Sequence, residues 1–161
     1  MSTVLPPEEY YNSLPRKYLG SGMLILNNQN EVLIVKPCYK EPWEIPGGIV
    51  EANEAPQETC EREVKEELGL DIKPKQLLIV DFSTRSGFKG DAIMMLFFGG
   101  ILSDEQIAKI KLPDDELSEF RFVDVETAKT LVTERLVKRI PKAIEAYKKG
   151  VCLCLKDGKE L

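Results

Sequence analysis

Six glutamates fall within fourteen residues, at Glu54, Glu58, Glu61, Glu63, Glu66 and Glu67. The last three are spaced i, i+3 and i+4, so a helix through them puts three carboxylates on one face. Like charges at that spacing cost an isolated helix roughly 0.2–0.5 kcal/mol per pair. Glu66 and Glu67 also sit in the last turn before Gly69, where the helix dipole disfavours an anion by about 0.3–1 kcal/mol. Two local rules broken at one place imply a compensating partner. For three convergent carboxylates that partner is a hard divalent cation, of which Mg²⁺ is the usual one. The chemistry open to such a cluster is metal-assisted, with a carboxylate able to take the proton of an attacking water.

Other chemistries are excluded by what is missing. The 161 residues contain no histidine, which removes Ser-His and Cys-His nucleophiles, an imidazole base and His-ligated zinc. Acid–base work falls to carboxylates, Lys, Tyr or Cys. The four cysteines, Cys38, Cys60, Cys152 and Cys154, form no C-x-x-C pair and read as buried, reduced thiols of a cytoplasmic protein. A net charge of −5 argues against a nucleic-acid polymer as partner but leaves small phosphorylated substrates open, since a bound cation reverses the local sign. No apolar leader opens the chain and no run reaches membrane-spanning length, so a membrane is not an expected partner.

Gly48, five residues, Glu54, seven residues, then Arg62-Glu63-Val64-Lys65-Glu66-Glu67-Leu68-Gly69-Leu70 resembles the Nudix box of the Nudix hydrolase superfamily at every fixed position, including both aliphatic ones. Trp43-Glu44-Ile45-Pro46-Gly47 resembles the approach to that box. The resemblance implies that Glu63, Glu66 and Glu67 bind Mg²⁺ or Mn²⁺, with a backbone oxygen from the Gly48 region. It also implies that Glu63 or Glu66 deprotonates water, that Arg62 orients the glutamate after it, and that Glu54 supports. A further carboxylate from outside the box is expected in the family, and Asp115, Glu116 and Glu119 are the candidates. A salt-bridged surface helix competes for the acidic run alone; Gly48, Glu54 and the closing Leu68-Gly69-Leu70 in register decide against it.

A helix is expected over 56–68, with Pro56 in the first turn, Glu58 at the positive start and Gly69 at the end. Cys60, Val64 and Leu68 make its apolar stripe, flanked by Glu63 and Glu67. Arg62 is expected to pair with Glu58, and Lys65 with Glu61, at i+4. Residues 22–26 and 32–35 read as a hairpin around Asn27–Glu31, and 36–48, with three prolines, as a loop holding at most a short strand. Further strands are expected at 77–82, 92–98, 120–123 and 151–155, with a turn at Asp157-Gly158. A capping box at Ser103–Gln106 opens a short helix, and 133–149 reads as a helix kinked or divided at Pro141. Residues 1–16 read as an irregular or docked arm. This is an α/β layered chain with a mixed sheet in one domain, 1–161; the resemblance implies an α/β/α sandwich.

The expected reaction is cleavage of a phosphoanhydride in a nucleoside diphosphate linked to another group, first a nucleoside triphosphate or an oxidised nucleotide of the 8-oxo-dGTP type. Alternatives are a nucleotide-sugar, ADP-ribose or dinucleotide pyrophosphatase and, from a different class, a nucleotide-binding regulator without catalysis. Trp43 before Glu44-Ile45-Pro46 resembles the oxidised-guanine branch. Ser86 stands where the ADP-ribose branch often has proline. Candidates for binding the nucleotide are Lys36 and Arg85 for phosphate, with Trp43, Tyr39 and Phe88 for stacking on the base. The proline-rich arm and 151–155 are candidate surfaces for a homodimer.

Overall fold

The computed structural model describes residues 5–84, 90–113 and 115–161. Eight strands form one mixed sheet among the described residues: β1 Tyr18–Asn27, β2 Val32–Pro37, β3 Gly47–Ile49, β4 Gln76–Ser83, β5 Ala92–Leu102, β6 Leu117–Val123, β7 Leu153–Lys156 and β8 Lys159–Glu160. Their order is β6-β2-β1-β5-β4-β7-β8, with β3 attached to the front half of β1. The β1–β5 and β4–β7 pairs are parallel, and the others antiparallel. The helices are α1 Pro7–Ser13, α2 Pro56–Leu68, α3 Asp104–Ile107, α4 Val125–Leu131 and α5 Glu134–Lys149.

The side-chain alternation of β1 explains the layers. Met23 and Ile25 join Cys60, Val64 and Leu68 of α2 in one apolar cluster. Leu24 and Leu26 join Leu136, Ile140, Ala143 and Ala146 of α5 in another. The sheet is therefore covered on both faces, and the expected α/β/α sandwich is what the chain adopts. Val64 and Leu68 are fully buried, and each contributes roughly 1.5–3 kcal/mol. That outweighs the repulsion of roughly 0.2–0.5 kcal/mol per glutamate pair, so core packing forces the acidic helix to form. Gly69 ends it in the left-handed conformation, φ 69°, as glycine permits.

Several elements differ from the sequence reading. Residues 7–13 are helical rather than irregular, and no residue of α1 is buried, so the segment is not docked. The first strand starts at Tyr18, earlier than expected, because residues 18–22 pair with β5 and 20–22 pair with β3 on the other side. The segment 125–131 forms a helix, α4, capped by Asp124, whose carboxylate accepts from Thr127 N at 3.0 Å. Pro141 lies inside α5 without dividing it. The last strand begins at Leu153 and turns through Asp157 and Gly158, both at positive φ, into β8. Only Cys60 is a buried thiol; Cys38, Cys152 and Cys154 are exposed, because strand alternation turns 152 and 154 outward while Leu155 enters the core. Among the described residues no helix is long and apolar enough to cross a membrane.

Candidate active site

Two glycines of β3 and one helix build the site. β3 lies against β1 with Gly22 opposite Gly47, Ser21 opposite Gly48 and Gly20 opposite Ile49. Gly47 has φ 149°, and a Cβ there would meet the Ser21 carbonyl oxygen at 2.4 Å, so only glycine fits. A Cβ on Gly48 would stand 2.0 Å from Glu63 Oε1; the Glu63 carboxylate thus rests directly on the Gly48 backbone. One turn further along α2, Glu67 Oε2 accepts the Gly47 N–H at 3.1 Å. The helix start is held to the same strand, since Ser21 Oγ donates to the Pro56 carbonyl at 2.6 Å.

Arg62 is the hub of the charges. Its Nε and Nη2 donate to the two oxygens of Glu54, at 2.8 and 3.1 Å, while Nη1 donates to Glu63 Oε1 at 2.8 Å and Glu66 Oε2 at 3.1 Å. Glu54 also accepts from Thr59 Oγ1 at 2.7 Å and the Glu51 N–H at 3.1 Å. The Arg62 hydrogen bonds, then those from Thr59 and Glu51, hold the Glu54 carboxyl down to about 2. The expected helix pairs do not form. Glu58 instead caps the helix by accepting the Ala55 N–H at 2.7 Å, and Lys65 pairs with Asp71 at 2.7 Å. An arginine can reach Glu54 because the loop before α2 folds back over its first turns; i+4 spacing carries no information about that.

The two carboxylates beside the glycines are strained electrostatically. Glu67 is 7% exposed, and burial pushes it up to about 8 against the lowering effect of the Gly47 hydrogen bond, with smaller repulsions from Glu63, Glu116 and Glu44 adding to the rise. Glu63 is raised as well, by burial first and by Glu66 and Glu116, against the opposing pull of Arg62. Burial raises the Cys60 thiol to about 11, so it stays protonated and packs as an apolar residue.

The residues outside the box divide. Glu116 acts on both Glu63 and Glu67, whereas Glu119 is paired with Arg121 at 2.6 Å, the two lying on one side of β6. Asp115 is exposed in the turn before β6. Trp43 is no base-stacking platform. It is 5% exposed in the α5-side core, with the Arg121 guanidinium 4.9 Å from its ring centre. Lys36 and Tyr39 line an open cleft of about 510 Å³ together with Pro37, Cys38, Lys40, Glu41 and Ser118. Arg85 and Phe88 lie outside the described residues. Lys40 and Glu44, paired at 2.8 Å, were not legible as site residues, yet both act electrostatically on Glu67. The only signal for Glu44 is its place four residues before Gly48.

A NUDIX domain family model matches residues 17–147. The chain belongs to the Nudix family. The ADP-ribose pyrophosphatase of Methanocaldococcus jannaschii is 30% identical over 129 residues, 78% of this chain and 72% of that protein. The ADP-ribose pyrophosphatase of Bacillus subtilis is 34% identical over 120 residues, 72% of this chain and 63% of that protein. In other curated relatives the matched part falls to between 19% and 34% of their length. The MutT protein of Methanosarcina mazei Go1 shares the fold, with a TM-score of 0.67 at 22% identity over 86% of this chain and 99% of that one. The family match and the relatives named as pyrophosphatases support a Nudix pyrophosphohydrolase.

The Nudix box offers an oxygen-only donor set, which suits a hard divalent cation. Among the described residues no three acidic side chains close around one point, since Arg62 holds Glu63 and Glu66 to itself. Mg²⁺ does not need three, because it keeps several waters and takes one or two carboxylates. A buried Glu67 and a half-buried Glu63, repelling each other against glycine backbone, meet that requirement. Gly48→Ala tests the packing of Glu63 on the backbone. The added methyl must displace the carboxylate, and turnover should fall by about tenfold or more, given the roughly hundredfold sensitivity of such sites to a displacement of about 1 Å. The melting temperature should stay within a few degrees. Wild-type turnover in this variant would show that Glu63 need not lie where it is.

Proposed function

We propose that the chain is a Mg²⁺-dependent pyrophosphohydrolase cleaving a phosphoanhydride in a nucleoside diphosphate linked to a further group, first a nucleoside triphosphate or an oxidised nucleotide of the 8-oxo-dGTP type. The observation that carries the reading is the Glu63–Glu67 pair set against Gly47 and Gly48, both carboxyls raised from the ordinary glutamate value by burial. Glu63, Glu66 and Glu67, with the Gly48 carbonyl, are the groups that would hold the metal. When bound, a divalent cation there neutralises charge developing on phosphate oxygens and lowers the pKa of a coordinated water. Mn²⁺ should substitute.

The chain's own groups do the rest. The Gly47 N–H fixes one oxygen of Glu67. Glu54 anchors Arg62 by two hydrogen bonds, and Arg62 in turn orients Glu63 Oε1 and Glu66 Oε2. That leaves Glu63 Oε2 and Glu66 Oε1 outside the arginine's grasp, and one of them takes the proton of the attacking water, a step worth typically 10²–10⁴-fold. Glu116 is the carboxylate from outside the box that joins them.

A second reading, an ADP-ribose or nucleotide-sugar pyrophosphatase, is supported by the relatives of that name that span most of this chain. The burial of Trp43 removes one support for the oxidised-guanine branch. Products separate the readings: a nucleoside triphosphate yields a nucleoside monophosphate with diphosphate, or a nucleoside diphosphate with phosphate, whereas ADP-ribose yields AMP and a sugar phosphate. A regulator without catalysis would bind nucleotide and release nothing. EDTA should abolish turnover, and Mg²⁺ or Mn²⁺ should restore it; full activity in metal-free buffer contradicts the scheme.

A further inference from the structure

The cleft of about 510 Å³ between the Lys36–Glu41 loop and Ser118 falls within the roughly 300–1,000 Å³ of small-ligand sites. Its frame is fixed. Val35 and Glu44 exchange backbone hydrogen bonds at 2.8 and 2.9 Å, the Cys38 N–H donates to the Glu116 carbonyl at 2.9 Å, and Ser118 Oγ donates to the Lys36 carbonyl at 3.2 Å. Within that frame Tyr39 is 72% exposed, an aromatic face left to water. Lys40 Nζ lies 5.3 Å from the centre of that ring and 2.8 Å from Glu44 Oε1.

The walls of the cleft are tied to the carboxylates through Lys40, paired with Glu44, and through Glu116, bonded to Cys38. Lys40 feels the charge of Glu67. From the other wall, Glu116 holds Cys38 by its carbonyl and acts through its charge on Glu63 and Glu67. A polyphosphate approaching a site of at least four carboxylates on a chain of net charge −5 needs cations along its route. Lys36 and Lys40 are the ones lining the cleft.

We propose that this cleft seats the nucleoside diphosphate half of the substrate, with the base stacked on Tyr39 and Lys40 exchanging Glu44 for an oxygen of the phosphate next to the scissile bond. The exchange is open to Lys40 because its ion pair is about one-third exposed on both sides, and such pairs bind weakly. Lysine takes a phosphate as a point charge, and Lys36 adds a second at the wall. Stacking on an aromatic face tolerates any base, so the platform selects for a nucleoside over a bare polyphosphate without choosing among nucleosides. This assignment rests on the phosphoanhydride reading above.

The test uses the full chain with Mg²⁺ and two non-hydrolysable probes, α,β-methylene-ADP and methylenediphosphonate, titrated calorimetrically. Tyr39→Ala should weaken the nucleotide about tenfold and leave methylenediphosphonate unchanged, the scale of one lost base stack. Lys40→Gln should weaken both probes by a similar factor. Both residues lie on an accessible loop, and melting curves should match the parent's. The assignment is overturned if the parent fails to bind the nucleotide probe, if either variant keeps the parent's affinity for it, or if Tyr39→Ala weakens both probes equally. Probe binding in this pattern by a chain that turns over no phosphoanhydride would sink the hydrolase reading and keep the cleft. A working hydrolase whose two variants retain the parent's KM would do the reverse.

Discussion

Glu67→Gln should lower turnover by at least about a hundredfold and, in EDTA at pH 8 and above, leave the fold more stable than the parent. The two effects have opposite signs for one reason. Glu67 is 7% exposed and stands among Glu63, Glu116 and Glu44, so its negative charge is a burden to the empty protein and an asset to a cation. Its pKa is raised by burial from an ordinary 4.5 to about 8. The folded chain therefore holds a proton that the unfolded chain has released, and the stability this gives is complete below pH 4.5 and lost as pH rises through 8. At about 1.36 kcal/mol per unit, the loss across that window is on the order of 5 kcal/mol.

Glutamine keeps the carbonyl oxygen that accepts the Gly47 N–H and removes the charge. Thermal melts across pH 4.5–8.5 in EDTA should show a steeper decline for the parent than for the variant. Mg²⁺ should then raise the parent's melting temperature and leave the variant's nearly unchanged. A variant less stable than the parent at pH 8 in EDTA, or one equally stabilised by Mg²⁺, would remove Glu67 from the metal-binding role. Glu63→Gln should match the activity loss, since Glu63 shares the same glycine corner.

The parts of the molecule that obey local rules were legible in the sequence. The box helix ends where Pro56 and Gly69 place its ends, Ser103 and Gln106 cap each other as their spacing implies, and Asn27 closes the first hairpin by accepting the N–H groups of Gln29 and Glu31. What depends on distant segments was not. The parallel pairing of β1 with β5 joins strands some seventy residues apart, and no pattern within either strand names the other. Trp43 was assigned by residue type to stacking, and the tertiary fold buries it under Arg121 instead. Arg62 was expected to bind its helical neighbour Glu58, but the better partner is Glu54, which presents both oxygens from the preceding loop. Lys40 and Glu44 resemble an ordinary surface pair until the loop lays them beside Glu67.

One charged pair escaped the sequence reading altogether, and its removal should have the largest effect on stability. Asp81 interrupts the apolar run of β4, and Arg139 sits on the face of α5 that carries Leu136, Ile140 and Ala143 into the core. Both are buried. Arg139 Nε donates to Asp81 Oδ2 at 2.6 Å, its Nη2 donates to Ser83 Oγ, and the Gly158 N–H donates to Asp81 Oδ1 at 3.2 Å. The network fastens α5 to β4 and to the β7–β8 turn, on the face of the sheet opposite the box helix.

Arg139→Met leaves the Asp81 charge in the core with only the Gly158 N–H, and breaking a buried pair from one side costs about 3–5 kcal/mol. For a chain of this length that corresponds to a fall of roughly 10 °C or more in melting temperature. Adding Asp81→Leu removes the stranded charge, so the double variant should recover about half of the loss or more, since hydrophobic replacement of a whole buried pair is often near neutral. Turnover at 25 °C should persist in both, because none of these groups touches the glutamates of α2. A single variant melting within about 2 °C of the parent would mean that water or a rearranged side chain already relieves Asp81. A double variant worse than either single one would mean that the pair stabilises the fold outright, beyond the penalty of leaving one partner unpaired.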